Sequence, residues 1–407
     1  MIIQELGKNQ DLFRASLAEM EPEAVSKALN WLRGEAPYPY PTSVHYNITL
    51  RCTARCNHCS QWSWPAHPEL TLVEINRLME LFRSWGVKTI TFGGGNPLLH
   101  GYFIEALQIA HQAGMEIGII TEGVNMSAPM IDAICDHAAW IRFSLDGPNP
   151  QIHDQIRSAP GLFATVIASI SDLQRRKTGV RIGLNCVVQK RNIHCLDEMI
   201  ELGERLGVTA VLFKVSHGDD PAGRFLPSHE DWEGFVQWVG RQCNLSTAVA
   251  TNVSELHRLM GTVFRAHDAV RGRPVQSFYR QGDVRCFVPL FFLVCDSEAN
   301  AYPCDYLQAD TRAWKGRYEA MRDEFCLGNL LEDSGAVLER LSALMRHRIR
   351  NLPCSGYNEC GCCTRFCQIN ASLTDIEARL GASAVTPDMV RDYVAQMGRA
   401  EPSHLFF

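Results

Sequence analysis

Cys52-Thr53-Ala54-Arg55-Cys56-Asn57-His58-Cys59 decides how the rest of the chain is read. Neighbouring thiols on one tight loop cannot all pair, so three cysteines within this stretch make a poor disulfide framework. They suit a metal cluster, whose irons need converging sulfur ligands. Three thiolates leave the fourth iron of a [4Fe–4S] cluster without a protein ligand, and an open iron is a place where a substrate or cosubstrate can bind. A structural zinc takes four ligands, so a zinc knuckle built on this loop alone would be one short.

Outward from the loop, from about residue 43, strand-like and helix-like patterns alternate roughly every 30 residues, which predicts parallel strands joined by right-handed helical crossovers. The strand patterns fall at 44–50, 87–92, 115–121, 140–145, 181–188 and 209–215. The first delivers the cysteine loop. Thr71 with Glu74 forms a capping box for the first crossover helix. Its apolar face is Leu72, Ile75, Leu78, Met79, Phe82 and Trp85, and Gly86 ends it. The expected fold is α/β: a partial (β/α)6, TIM-like barrel with a small cysteine-rich C-terminal iron–sulfur domain. In such barrels the chemistry sits at the C-terminal mouths of the strands, where the motifs of this chain also fall. The expected units are an N-terminal helical cap (1–42), the barrel (43–225), a helical bridge (226–280), the cysteine-rich domain (281–370) and a helical tail (371–407). The cap is too short and too helical for a winged-helix module.

Composition narrows the function classes. With 407 residues, 46% hydrophobic and 21% charged, the chain can bury a large core. A formal net charge of −6 and the lack of a long Lys/Arg run argue against nucleic acid or an anionic membrane as partner. Met1-Ile2-Ile3-Gln4-Glu5-Leu6-Gly7-Lys8 lacks the basic-then-apolar order of a signal peptide, so the expected location is the cytoplasm. In that reducing compartment the 16 cysteines read as metal ligands and buried thiols, not as disulfides.

After the second strand, Gly93-Gly94-Gly95-Asn96-Pro97 is a turn whose glycines let backbone approach a ligand closely and whose proline fixes the exit. Towards the C-terminus the cysteines crowd again: Cys286, Cys295, Cys304, Cys326, Cys354, Cys360, Cys362, Cys363 and Cys367. Core packing does not explain such crowding. A zinc ribbon is the competing reading for its last part. Cys135, Cys186, Cys195 and Cys243 stand apart and read as buried, inert thiols.

A Cys, three residues, Cys, two residues, Cys loop directly after a first strand resembles the signature of the radical S-adenosylmethionine enzymes. In that family the open iron chelates the methionine end of the cosubstrate, and one electron cleaves it to a 5′-deoxyadenosyl radical. His58 stands where the family usually has an aromatic residue. The resemblance implies that Gly94, Gly95, Asn96 and Pro97 meet the cosubstrate's amino group. Asn96 departs from the family's Gly-Gly-Glu-Pro, keeping an acceptor oxygen but losing the charge. Thr121-Glu122-Gly123 occupies the place of a frequent Thr-Asn-Gly. Ser144-Leu145-Asp146-Gly147 with His153-Asp154 and Arg157 resembles the pattern of the larger relatives. It implies Ser144 and Arg157 at the ribose and carboxylate, with Asn185 in the same cavity.

The C-terminal field resembles the SPASM and twitch domains, which carry one or two auxiliary [4Fe–4S] clusters and normally have glycine where Ala299 stands. The ligands this implies are Cys286, Cys304, Cys354 and Cys360 for the nearer cluster. Cys362, Cys363, Cys367 and either Cys326 or Cys295 are the candidates for a second. Asp305, next to Cys304, is the candidate for taking a proton from the substrate. A flavodoxin or ferredoxin-type reductant would supply the electron. Enzymes of this layout act mostly on peptides, and a minority act on sugars or aminocyclitols in antibiotic pathways. An activase that installs glycyl radicals, and a non-enzymatic iron–sulfur or zinc protein, are the readings of other classes. The cysteine-free interval from Gln61 to Phe92 argues against the first, and the glycine turn against the second.

Overall fold

The computed structural model describes residues 22–59, 68–176, 179–216, 223–243, 245, 247–253, 256, 288–303, 325–348 and 385–396. Helix α1 (Pro22–Leu32) leads into β1 (Ser43–Thr49), and the crossovers follow in order. They are α2 (Leu72–Trp85), β2 (Thr89–Gly94), α3 (Phe103–Gln112), β3 (Glu116–Thr121), α4 (Ala128–His137) and β4 (Trp140–Ser144). Next come α5 (Pro150–Arg157), α6 (Leu162–Arg175), β5 (Arg181–Val188), α7 (Leu196–Arg205) and β6 (Ala210–Val215). All six expected strands are present, with ends shifted by no more than two residues and β5 unshifted. Beyond them lie α8 (His229–Gln242), β7 (Ala250–Thr251), β8 (Phe292–Cys295), β9 (Asn300–Tyr302), β10 (Gly328–Asn329), α9 (Leu330–Arg348) and α10 (Pro387–Gln396).

One sheet runs β10-β9-β8-β1-β2-β3-β4-β5-β6-β7. It is parallel from β8 through β7, and antiparallel where β9 joins β8 and β10 joins β9. The sheet is open, as a partial barrel requires. It also extends further than the six strand patterns indicate: residues 288–303, expected in the cysteine-rich unit, continue it on the β1 side. Ser43 to Tyr46 pair with Phe292 to Cys295. Cys295 is fully buried there within the apolar core, so it behaves as a packing residue.

Alternation within each strand divides the sheet into two unlike faces. Tyr46, Phe92, Ile119, Phe143, Leu184 and Phe213 belong to the main apolar cluster, together with Ile75, Leu78 and Phe82 from α2. Thr71 and Glu74 make the expected capping box, and Gly86 closes the helix in the left-handed conformation at φ 77°. The inner face carries His45, Trp140 and Arg142, and each lies against a glycine of the next strand inward. A Cβ added at Gly93 would stand 2.3 Å from His45 Nε2, one at Gly118 would stand 1.9 Å from the Trp140 ring, and one at Gly183 would stand 3.4 Å from Arg142 Cγ. The Arg142 guanidinium lies 4.4 Å from the Trp140 ring centroid.

Gly118→Ala therefore drives a methyl into the indole, an overpacking worth about 1–3 kcal/mol. Thermal unfolding should show a midpoint lower by a few degrees, with part of the loss recovered when Trp140→Leu is added. An unchanged midpoint in Gly118→Ala would mean that the indole has room to move.

Candidate active site at the mouth of the barrel

The end of β1 and the turn after β2 are in backbone contact. Gly95 N donates to Thr49 O at 2.8 Å and Asn96 N to Arg51 O at 2.7 Å. A Cβ at Gly94, whose φ is 107°, would lie 2.2 Å from Thr49 O, and one at Gly95 would lie 2.2 Å from Arg51 O. The expected close approach is made, and in this structure it is to the chain's own backbone where it leaves for the cysteine loop. Asn96 is fully buried, and its amide serves the fold: Oδ1 accepts from Thr121 Oγ1 at 2.7 Å and Nδ2 donates to Val124 O at 3.2 Å. Pro97 starts the short helical turn that Asn96 caps.

The cysteine loop rests on the last turn of α5. Arg55 N donates to Arg157 O at 2.9 Å and Asn57 N to Ile156 O at 3.0 Å. The Arg157 side chain, 10% exposed, reaches both ways: Nη1 lies 3.5 Å from Cys56 Sγ, and Nε lies 2.6 Å from Asp146 Oδ2. Asp146 is fully buried, and its Oδ1 accepts from Val187 N of β5 at 2.8 Å. Burial opposes its charge, but Arg157, His58 and His153 together hold its carboxyl below the ordinary range. The Asp146 N–H in turn donates to His153 Nδ1 at 3.0 Å. Asp154 caps α6, accepting from Gly161 N and Phe163 N at 2.7 and 2.8 Å.

A second anchor ties the residue before the first cysteine to the chain that follows the loop. Arg51 makes a two-pronged ion pair with Glu69, both contacts 2.8 Å, and Thr49 Oγ1 bonds the same carboxylate. Glu122 holds the first cysteine: Oε1 accepts from Thr53 N at 3.1 Å and from Thr53 Oγ1 at 2.7 Å, while the Cys52 thiol lies 3.3 Å from Oε2.

The donor set fits an iron–sulfur cluster. Burial pushes the Cys52 thiol well up, with the charge of Glu122 next and that of Cys56 adding to it. Burial likewise raises Cys56, to about 11, against the pull of Arg157 and with a push from Cys59. Thiols whose charges repel one another are those that a cationic cluster would reconcile, and a guanidinium at Cys56 favours the thiolate. Among the described residues, no three His, Cys, Asp or Glu side chains gather closely enough to hold a single metal ion. Asn185 faces Ser144 across the β4–β5 pair, and its Oδ1 is buried without a hydrogen-bond partner among the described residues. Such an atom calls for a donor, from water or from a ligand. His58 Nδ1 lies 3.1 Å from Asn57 Oδ1 and 3.1 Å from Gln189 Nε2.

Sequence reasoning passed over Gln189 and Asn192. Asn57 Nδ2 donates to Gln189 Oε1 at 2.8 Å, and Asn192 Nδ2 donates to Asp146 O at 2.8 Å. Their place just past β5, at the barrel mouth, was the available signal. Cys286, Cys304, Asp305, Cys354, Cys360, Cys362, Cys363 and Cys367 lie outside the described residues. Cys186 and Cys195 are buried, as expected of inert thiols, whereas Cys135 and Cys243, expected to be buried too, are only half-buried. Among the described residues no helix is long and apolar enough to cross a membrane.

A model of the radical SAM superfamily matches residues 46–203. An AdoMet-dependent heme synthase of Methanosarcina barkeri is 29% identical over 206 residues, 49% of this chain and 57% of that protein. A PqqA peptide cyclase of Ruegeria pomeroyi is 30% identical over 184 residues, 43% of this chain and 48% of that protein. The chain thus spans about half the length of these relatives. The solved structure of anSMEcpe with bound AdoMet and a Kp18Cys peptide superposes with a TM-score of 0.55 at 14% identity, covering 88% of this chain and 99% of that one. At that identity the likeness is one of fold.

His153 makes the site's framework acid-sensitive. Burial, then the Arg157 charge, lowers its pKa to about 4 from an ordinary 6.5. The unfolded chain therefore takes up a proton that the folded one refuses between those values, so its contribution is complete above pH 6.5 and lost as pH falls to 4. At about 1.36 kcal/mol per unit this reaches about 3 kcal/mol. Denaturant unfolding between pH 7 and 4 should show the slope, and His153→Asn, which keeps an acceptor for Asp146 N, should flatten it. An unaltered slope in that variant would assign the acid sensitivity to other groups.

Proposed function

We propose that this chain, whose residues 46–203 are a radical SAM superfamily domain, uses S-adenosylmethionine to remove hydrogen from an unactivated carbon of a peptide, as an oxidoreductase or maturase. The observation that carries the reading is the thiol loop itself: three cysteines that follow β1, with the Arg157 guanidinium at Cys56 and backbone bonds from Arg55 and Asn57 to the last turn of α5. A [4Fe–4S] cluster on Cys52, Cys56 and Cys59 would supply the electron that splits the cosubstrate into methionine and a 5′-deoxyadenosyl radical.

The protein's part is placement. Arg157 stabilises the Cys56 thiolate, and the Arg51–Glu69 and Glu122–Thr53 contacts fix the start of the loop on either side of Cys52. Gly94, Gly95 and Pro97 shape the turn against which the cosubstrate would lie, with His58 beside the last cysteine. Ser144 would meet its ribose and Asn185 Oδ1 would accept a hydrogen bond, while Arg157, which the resemblance assigns to the cosubstrate, is held by Asp146 and Cys56. The cavity at the C-terminal mouth of the barrel would hold the target carbon near the radical and exclude stray hydrogen donors.

The C-terminal field completes the proposal. A SPASM/twitch-type domain would bind one or two auxiliary [4Fe–4S] clusters through Cys286, Cys304, Cys354 and Cys360, with Cys363 and Cys367 serving a second. Asp305 would take the substrate's proton as its electron passes to the auxiliary cluster. A flavodoxin or ferredoxin would reduce the enzyme, and the cytoplasm would keep its thiols reduced. A peptide stands first as substrate because one of the relatives is named for cyclising a peptide.

Replacing Cys52, Cys56 and Cys59 together by alanine tests the assignment. Anaerobically reconstituted with dithionite and S-adenosylmethionine, the variant should form no 5′-deoxyadenosine above background and should lose about four irons. Iron held by the C-terminal field should remain. Zinc in place of iron in the wild type, with no product, would sink the enzyme reading.

A further inference from the structure

The end of the barrel away from the cysteine loop brings two more metal-ligating side chains together. His111 lies in the last turn of α3, and His137 is the last residue of α4. The two helices pack side by side and lead into the paired strands β3 and β4. Both imidazoles therefore stand where the chain enters the sheet, a strand's length from the mouth. Their ring centroids are 5.0 Å apart, with 47° between the ring planes.

That separation is the one a shared ion sets. With metal–nitrogen bonds of about 2.1 Å and each ring centroid about 1 Å behind its nitrogen, two imidazoles on one tetrahedral zinc have centroids about 5 Å apart. Backbone bonds fix the two turns that carry the rings: Gly114 N donates to His111 O at 2.9 Å, Ala138 N to Ile134 O at 2.9 Å and Ala139 N to Ile117 O at 2.8 Å. His137 Nδ1 is buried and has no hydrogen-bond partner among the described residues. A buried polar atom left in that state lacks the partner that native structures normally supply.

A proton serves this pair poorly, because burial, and after it the charge of His111, hold His137 below the ordinary imidazole range. A divalent ion is better placed. Two helix C-termini end here, each carrying about half a negative charge, and the exposed Asp136 adjoins His137. Two carboxylates on these elements are already taken, Asp132 by Arg176 at 2.8 Å and Glu116 by Arg181 at 2.9 Å. Among the described residues no third His, Cys, Asp or Glu joins the pair, so water completes the coordination shell. Imidazole ligands favour zinc, nickel or copper over magnesium or calcium. We propose that His111 and His137 together chelate a divalent transition-metal ion, zinc being the ion whose geometry they fit, and that the ion clamps the ends of α3 and α4 to each other. The site owes nothing to the cysteine loop and stands whether or not that loop holds a cluster.

The test is equilibrium dialysis of the anaerobically reconstituted protein against Zn2+, wild type beside His111→Ala. His111 is exposed, so the substitution leaves the core alone, and zinc held by thiols is the same in both proteins. The wild type should hold one more zinc than the variant, with a dissociation constant in the micromolar range, and the variant should need about tenfold more zinc or beyond to fill that site. His137→Ala should weaken binding by the same factor, and the double variant should be no worse than either single one, because one imidazole without the other is no chelate. Zinc should also raise the thermal midpoint of the wild type and not that of His111→Ala, since an ion bound only by the folded state stabilises it. Magnesium at the same concentration should do neither. Equal zinc binding by the wild type and His111→Ala, or an equal response to magnesium, would overturn the proposal. If His137→Ala does not fold, the comparison with His111→Ala decides by itself.

Discussion

The ion pair between Asp146 and Arg157 is the constraint on which the mouth of the barrel depends. Its partners come from the exit of β4 and the last turn of α5, and it is buried, so its charges are compensated by each other and by the hydrogen bonds around them. Val187 N, from β5, takes the free oxygen of Asp146. The same turn of α5 offers its carbonyls to Arg55 and Asn57 and its guanidinium to Cys56. One pair thus ties two strands, a helix and the cysteine loop into a single body. Removing either partner would leave a buried charge without compensation, at a cost of about 3–5 kcal/mol.

The two faces of the sheet explain why such a polar assembly can exist in so apolar a protein. The outer face is closed by helices whose cores continue into it, and it supplies the rigidity. The inner face is spared that packing, because glycines at 93, 118 and 183 let His45, Trp140 and Arg142 lie flat across neighbouring strands. Glycine also acts at 94 and 95, where the turn after β2 meets the backbone leaving β1 closely enough to exclude any side chain. The cysteine loop is held at its start by backbone bonds to the glycine turn and by Arg51–Glu69, and by α5 beneath it.

The strands and their order were legible because parallel β/α units repeat a period-two and period-3.6 pattern that residues 43–215 follow closely. The capping box at Thr71 and Glu74 was legible for the same local reason. The continuation of the sheet through β8 was not. Phe292-Leu293-Val294-Cys295 is a short apolar run in a cysteine-rich stretch, and only its pairing with Ser43 to Tyr46, about 250 residues away, makes it a barrel strand. Cys295 looked like a ligand among ligands and lies in the core.

The sequence by itself determined that three thiols fall on one short loop, because the spacing of Cys52, Cys56 and Cys59 is a local property that survives in any conformation of the loop. It also determined which segments meet at the mouth, since parallel topology brings all strand ends to one side. Only the tertiary structure decided which polar groups are already spent. Arg157 is committed to Asp146 and Cys56, and Asn96 to Thr121 and Val124. Glu122 keeps an oxygen whose one partner among the described residues is the Cys52 thiol. A side chain's remaining capacity depends on neighbours from distant parts of the chain, and no local pattern encodes them.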